Sequence, residues 1–195
     1  AVAALEQSGA WSAPALVLDL DDRDRQVRRA AVEALGIAGA AEAAPALADA
    51  LGDGDGGVRA AAAHALGRLG GKAAEAVAAL VAALEDDEQI VRSASATALG
   101  EIGTAAQDAT LALAAASADP HPTVRRWAAW ALGKVGPDPE VAVPALIAVL
   151  ADEDHEVANA ALDSLRALTG QDFGLASAKW LAWWTESQAS PEPGE

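Results

Sequence analysis

Apolar positions along this chain recur at helical spacing. Counted from Val58 or Val124, they fall 0, 4, 7, 8 and 11 residues on, one stripe of a helix, and from Val91 the same places are apolar but for Ser95. The stretch "VRRWAAWALG" (124–133) is one copy of the pattern and carries two tryptophans where the others have small or polar residues. The valine recurs at Val27, Val58, Val91, Val124 and Val157, spaced 31, 33, 33 and 33 residues apart. Eight residues after it stands Leu35, Leu66, Leu99, Leu132 or Leu165. Five residues before it stands Asp22, Asp53, Asp86, Asp119 or Asp152. Five copies of three residues in register define an internal repeat. A second apolar stretch precedes each striped helix: "APALVLDL" (13–20), "APALADAL" (44–51), "AVAALVAAL" (76–84), "DATLALAAA" (108–116) and "AVPALIAVL" (142–150). Each repeat therefore reads as two helices.

Glycine marks two places in the unit. Gly39, Gly70, Gly103 and Gly136 follow the striped helix, as suits a left-handed residue after a helix end. Gly36, Gly67, Gly100 and Gly133 fall inside it, where glycine costs about 1 kcal/mol against alanine. A close crossing with a neighbouring helix explains the second set. In "PDPE", Asp138 is expected as N-cap and Pro139 as the first helical residue. The repeated aspartate suits the start of the second helix. Arg28, Arg59, Arg92 and Arg125 are placed to pair with these aspartates between repeats. As exposed pairs they would contribute about 0–1 kcal/mol each.

The pattern "VRxxAxxALGxxG" resembles HEAT repeats of the bilin-lyase-like (PBS lyase) type over roughly residues 1–170. The resemblance implies an all-α fold: a right-handed α-solenoid of about five helix pairs, the second helices lining a concave side. Repeats of this kind bury apolar faces against their neighbours only. The first residues align with the middle of a second helix, so the array is expected to start mid-repeat, as in a fragment. At the other end "LTGQDFG" (168–174) leaves the repeat, and Trp180, Trp183 and Trp184 share one helix face. The stretch resembles C-terminal caps of bacterial HEAT-repeat proteins, so 171–187 is expected to cap the array, with Phe173 and the tryptophans covering its last apolar face. A disordered tail is expected over 188–195.

Composition narrows the function. The chain has 13 basic and 29 acidic residues, a net charge of −16. Nucleic acids and anionic membranes are disfavoured, since both are bound by clustered Lys and Arg. A protein partner with a basic segment fits better. No cysteine is present, so thiolate metal sites and thiol nucleophiles are excluded. No apolar run reaches the roughly 20 residues that span a bilayer. The chain reads as soluble, cytoplasmic or periplasmic, with its oligomeric state open.

Candidate chemistry lies on the second helices. Positions 2, 3 and 6 after the valine fall off the apolar stripe and are expected to face the groove. Position 2 holds Arg29, Ala60, Ser93, Arg126 and Asn159, and position 6 holds Glu33, His64, Thr97, Trp130 and Asp163. Position 3 is alanine except at Trp127. Arg126, Trp127 and Trp130 have the composition of a protein-binding hot spot, and arginine stacks on indole faces.

A HEAT-repeat enzyme family, deoxyhypusine hydroxylase, holds a di-iron centre with His-Glu pairs at positions 2 and 3, and this chain has none there. His155 and Glu156 precede the valine, in what reads as a solvated turn. Three scattered histidines imply no metal cluster. "GDGDGG" (52–57) lacks the spacing of a calcium loop and reads as a flexible turn. No cofactor or catalytic residue is expected. The leading reading is a non-catalytic scaffold that binds a protein in its groove. The alternative, from the resemblance alone, is a bilin lyase or chaperone subunit whose tryptophans stack on a linear tetrapyrrole while Arg29 or Arg126 pairs with its propionates.

Overall fold

A computed structural model of the chain describes residues 13–136 and 138–189. Its described residues form eleven α-helices: α1 (Ala13–Asp19), α2 (Arg25–Ala38), α3 (Ala44–Asp49), α4 (Gly56–Leu69), α5 (Val77–Ala83), α6 (Gln89–Ile102), α7 (Thr110–Ala116), α8 (Pro122–Val135), α9 (Pro139–Val149), α10 (His155–Thr169) and α11 (Ser177–Ala189). No strand occurs among them. The first ten helices are five pairs, and the even-numbered member of each is the striped helix of the repeat. The expected mid-helix start lies in 1–12, outside the described residues. Of the expected tail, Gln188 and Ala189 belong to α11, and 190–195 lie outside the described residues.

The even helices pack on one another much more closely than the odd ones do. A stack that is tighter in one layer curves toward that layer, so the even helices form the inner wall. Their interior glycines set the spacing. A Cβ on Gly36 would lie 2.8 Å from Cβ of Ala65, and one on Gly133 would lie 3.0 Å from Cα of Ser164. Helix backbones meet where those side chains would stand.

The expected stripe is the core. Val58, Ala62, Ala65, Leu66 and Leu69 of α4 are all buried, as are their counterparts on α6 and α8. A further row, five residues after the valine, is buried too: Val32, Ala63, Ala96, Ala129 and Leu162. Ser95 is the polar member of the stripe on α6. It is fully buried, and its hydroxyl has no hydrogen-bond partner among the described residues. The equivalent residues are Ala31, Ala62, Ala128 and Ala161. Ser95→Ala removes an unsatisfied polar atom and improves helix propensity. It is expected to raise stability by about 1–2 kcal/mol, read as a higher urea midpoint.

The glycines after the even helices do not all do the same thing. Gly39 (φ 64°, ψ 30°) and Gly170 (φ 69°, ψ 2°) are left-handed, as a helix stop requires. Gly70, Gly103 and Gly136 pair φ of 57°, 70° and 91° with ψ of −140°, −139° and −151°. That region is open almost only to glycine. After Gly70 and Gly103 the chain runs directly into 3₁₀ segments (Gly70–Ala76 and Gly103–Ala109) that lead to the next odd helix. In the last repeat Pro139 starts α9 directly, and Pro144 falls inside it. Asp138 holds the N-cap position, but its side chain makes no capping bond.

The arginine and aspartate rows join the repeats. Arg28 grips Asp53, Arg59 grips Asp86, Arg92 grips Asp119 and Arg125 grips Asp152, each through Nε and Nη2 at 2.6–3.1 Å. Nη1 of each arginine also donates to the carbonyl of the aspartate in its own repeat, at 2.9–3.0 Å. These side chains are at most 18 % exposed, so the expectation of weak exposed pairs is corrected. The aspartates are not the helix caps. Each accepts the backbone N–H two residues on. The residue so held is the true N-cap: Asp24, Asp55, Glu88, His121 or Asp154. In the "GDGDGG" turn, Asp53 and Asp55 are thereby committed to Arg28 and Arg25.

Helix α11 packs against α9, the first helix of the fifth pair. Trp180 is its buried residue; Phe173 and Trp183 pack against it, and Trp184 against Trp183.

Candidate functional site

The inner wall carries the candidate residues in two groups. On the first two even helices, Arg29 and Glu33 of α2 and His64 of α4 line one hollow of about 440 Å³. Ile37, Arg68 and Ile90 complete its rim, and none of the three stood out in the sequence. Ile37 and Ile90 remain 62 % and 49 % exposed despite their size. Arg29 and Glu33 form an i,i+4 pair at 2.8 Å. Partial desolvation by the neighbouring wall pushes the exposed His64 imidazole below the usual histidine value; the Glu101 carboxylate opposes this and Arg68 adds to it.

The second group sits on α8. The Arg126 guanidinium lies over the Trp127 ring, 4.9 Å from its centroid. Trp127 meets Trp130 edge-on, with centroids 5.6 Å apart. The Lys134 ammonium stands 5.8 Å from the Trp130 centroid. Trp130 also has a packing task, since a Cβ on Gly100 would strike its ring. The missing side chain on α6 thus makes room for the indole of α8. Trp127 and Trp130 are both half-buried, and both pack against the core. Arg126 is held loosely: its nearest carboxylate, on Glu156, is 3.7 Å away, and its buried Nε has no partner among the described residues.

The remaining candidates are dispersed. Thr97 on α6 gives its hydroxyl proton to the carbonyl of Ser93. Asn159 is exposed on α10. Asp163 shares a small hollow with Trp130 and Lys134, but it is also bonded to Arg166, which reaches on to Asp172. His155 and Glu156 are the first residues of α10 rather than part of a turn. No cluster of three or more metal-ligating side chains occurs among the described residues. No described helix is long and apolar enough to cross a membrane.

Charge is segregated. The inner rows carry four cations (Arg29, Arg68, Arg126, Lys134) and four carboxylates (Glu33, Glu101, Glu156, Asp163). The arginine–aspartate ladder is likewise neutral. The whole excess of −16 therefore lies elsewhere, in part at exposed residues of the outer layer such as Glu42, Asp49, Glu75, Glu85, Asp108 and Glu140.

Comparison with known proteins agrees with this architecture. The chain is similar to the complex of CpcE and CpcF of phycocyanin lyase from Nostoc sp. PCC7120, with 25% identity, a TM-score of 0.69, and coverage of 93% of this chain and 71% of that one. It is similar in fold to a designed armadillo repeat protein in complex with peptide (KR)4, with 23% identity, a TM-score of 0.69, and coverage of 86% and 85%. An engineered protein shows the same likeness, with 22% identity, a TM-score of 0.68, and coverage of 90% and 86%. No curated protein sequence matches significantly. The model for HEAT repeats matches residues 13–100, 57–116 and 77–166. Five helix pairs stacked through glycine crossings, with that match across most of the chain, place it in the HEAT-repeat family.

Proposed function

We propose that this protein is a non-catalytic scaffold that holds a segment of a partner protein along the inner wall of its array. The observation that carries the reading is the Arg126–Trp127 stack. It presents a half-buried indole and a loosely held guanidinium on a wall whose other position-3 residues are alanine. Rigid aromatic and arginine anchors on a pre-formed concave surface are what protein recognition uses. The designed armadillo repeat protein of similar fold, in complex with the peptide (KR)4, offers a parallel for a peptide partner.

The test is a pull-down from source lysate with wild type and with Arg126→Glu, Trp127→Ala. Trp130 is left intact because its ring packs on α6. The double variant is expected to keep its helical circular dichroism spectrum and to lose the captured partner at least ten-fold. Equal capture by both proteins overturns the reading.

The likeness to phycocyanin lyase favours a second reading, a bilin-handling subunit. In it the two α8 tryptophans stack on a linear tetrapyrrole and Arg126 or Arg29 pairs with its propionates. Mixing with phycocyanobilin then shifts the visible absorbance, and the shift is lost in Trp127→Ala. An unchanged spectrum removes this reading.

A further inference from the structure

The charge on the inner wall bears on the chemistry of a partner held there. The whole chain, at −16, suggests a basic partner. The inner wall does not share that charge. Glu33 is tied to Arg29, and Asp163 is tied to Arg166. Arg68 and Lys134 make no ion pair among the described residues, and Arg126 has only a distant one. Against these three cations stand Glu101, whose carboxylate only opposes the lowering of the His64 pKa, and Glu156 beside Arg126. Cations thus outnumber the carboxylates left to meet them, in a molecule where acids outnumber bases more than two to one.

The apolar features lie beside the same cations. Ile37 of α2 and Ile90 of α6 line the same hollow as Arg68 of α4, Ile37 and Arg68 near the ends of their helices and Ile90 near the start of its own. Trp127 and Trp130 flank Arg126 and Lys134 on α8. Arg68 on α4 and the tryptophans on α8 stand two even helices apart. At about 10 Å between packed helices, that is about 20 Å, which an extended chain spans in about six residues.

Resting on the groove reading, we infer that the occupant is an extended segment of a partner protein that carries carboxylates among aliphatic or aromatic side chains. One apolar side chain enters the hollow rimmed by Ile37 and Ile90, with a carboxylate on Arg68. A second apolar side chain lies on Trp127, with a carboxylate on Arg126 or Lys134. A basic segment would meet its complement on the outer layer instead. The two cases respond oppositely to salt. The outer acids repel an acidic segment at long range, and this repulsion is screened beyond about 10 Å at 0.1 M salt. Contacts inside the groove are screened less, so added salt relieves the repulsion without removing the anchor.

The experiment uses the full chain and three labelled eight-residue peptides. All carry leucine at alternate positions, separated by aspartate, serine or lysine, and binding is read by fluorescence anisotropy. The aspartate peptide is expected to bind at least ten-fold more tightly than the lysine peptide in 150 mM salt. Its affinity should hold or rise between 20 and 150 mM salt, and fall at least ten-fold in Arg68→Glu. Arg68 is exposed at the end of α4, so that variant is expected to fold; Ile90→Asp provides an independent disruption of the same rim. Three results overturn the inference: tighter binding of the lysine peptide, binding of the aspartate peptide untouched by both variants, or no binding of any peptide at 1 mM. Lysine-peptide binding that is lost in Trp127→Ala would overturn this inference while leaving the groove reading standing. Equal partner capture by wild type and the α8 double variant would remove the groove reading itself.

Discussion

Trp180→Ala is expected to destabilise the protein by about 3–5 kcal/mol and to loosen it from the C-terminal end first. Trp180 is fully buried, among the largest side chains so placed in the molecule. Its indole N–H donates to the carbonyl of Gly174 at 2.8 Å, which ties α11 to the turn before it. Phe173 and Trp183 both meet its ring edge-on, at 5.0 and 6.1 Å between centroids. Alanine would leave a large cavity, an unpartnered carbonyl and an uncovered face on α9. In an array stabilised by nearest-neighbour contacts, the loss falls on the last pair before it reaches the others. Hydrogen exchange should therefore rise in α9–α11 while α4 and α6 keep their protection. A uniform rise along the chain would show that the array unfolds as one unit and that α11 is not a local cap. Trp180→Phe separates the two contributions, because it keeps most of the buried ring and loses only the N–H bond. It should cost about 1–2 kcal/mol.

The fold was legible in the sequence because its determinants recur. Val58, Leu66 and Gly67 say little alone, but the same residues 33 positions on, at Val91, Leu99 and Gly100, fix helix, face and crossing together. What recurs as alanine stayed hidden. Ala63, Ala96 and Ala129 form a buried row, yet alanine is as common on exposed helix faces, and only Val32 and Leu162 mark the row as apolar. The α2/α4 hollow was missed for a related reason. Ile37, Arg68 and Ile90 sit at repeat positions that no stripe singles out, and their meeting depends on how neighbouring helices are offset. The glycine after each even helix was expected from its position, but its ψ was not readable. It is 30° at Gly39 and 2° at Gly170 but −140°, −139° and −151° at Gly70, Gly103 and Gly136, although the same residue type follows the even helix each time. The Trp130–Gly100 fit was also out of reach, because glycine stands at that place in four repeats and signals a close crossing in each, with or without an indole.

Arg92→Ala is the second large effect, expected to cost about 2–4 kcal/mol, several times the expectation for an exposed pair. Arg92 joins three things at once: the Asp119 carboxylate at 2.7 and 3.1 Å, the carbonyl of Asp86 at 2.9 Å and the carbonyl of Asp87 at 3.1 Å. Its removal leaves Asp119, whose side chain is 9 % exposed, without its cation. Arg92→Lys should recover less than half of the loss, since an ammonium cannot supply the planar fork and the third donor together. The exposed Arg29–Glu33 pair is the internal control, and Glu33→Ala should change stability by less than about 0.5 kcal/mol. The same contacts predict an acid limit. Hydrogen bonds from Arg28, Arg59 and Arg125 hold Asp53, Asp86 and Asp152 below the usual carboxylate range. For Asp119, burial pushes the other way, and Arg92 and the N–H of His121 outweigh it. A carboxyl whose folded pKa lies below its unfolded value of about 3.9 stabilises the fold above that value and loses the contribution as pH falls through the folded one. Thermal midpoints should therefore be steady from pH 7 to 5 and drop steeply below pH 4. In Arg92→Ala the drop should be shallower, because one carboxylate no longer resists protonation. An equal slope in variant and wild type would assign the acid limit to carboxylates outside the ladder.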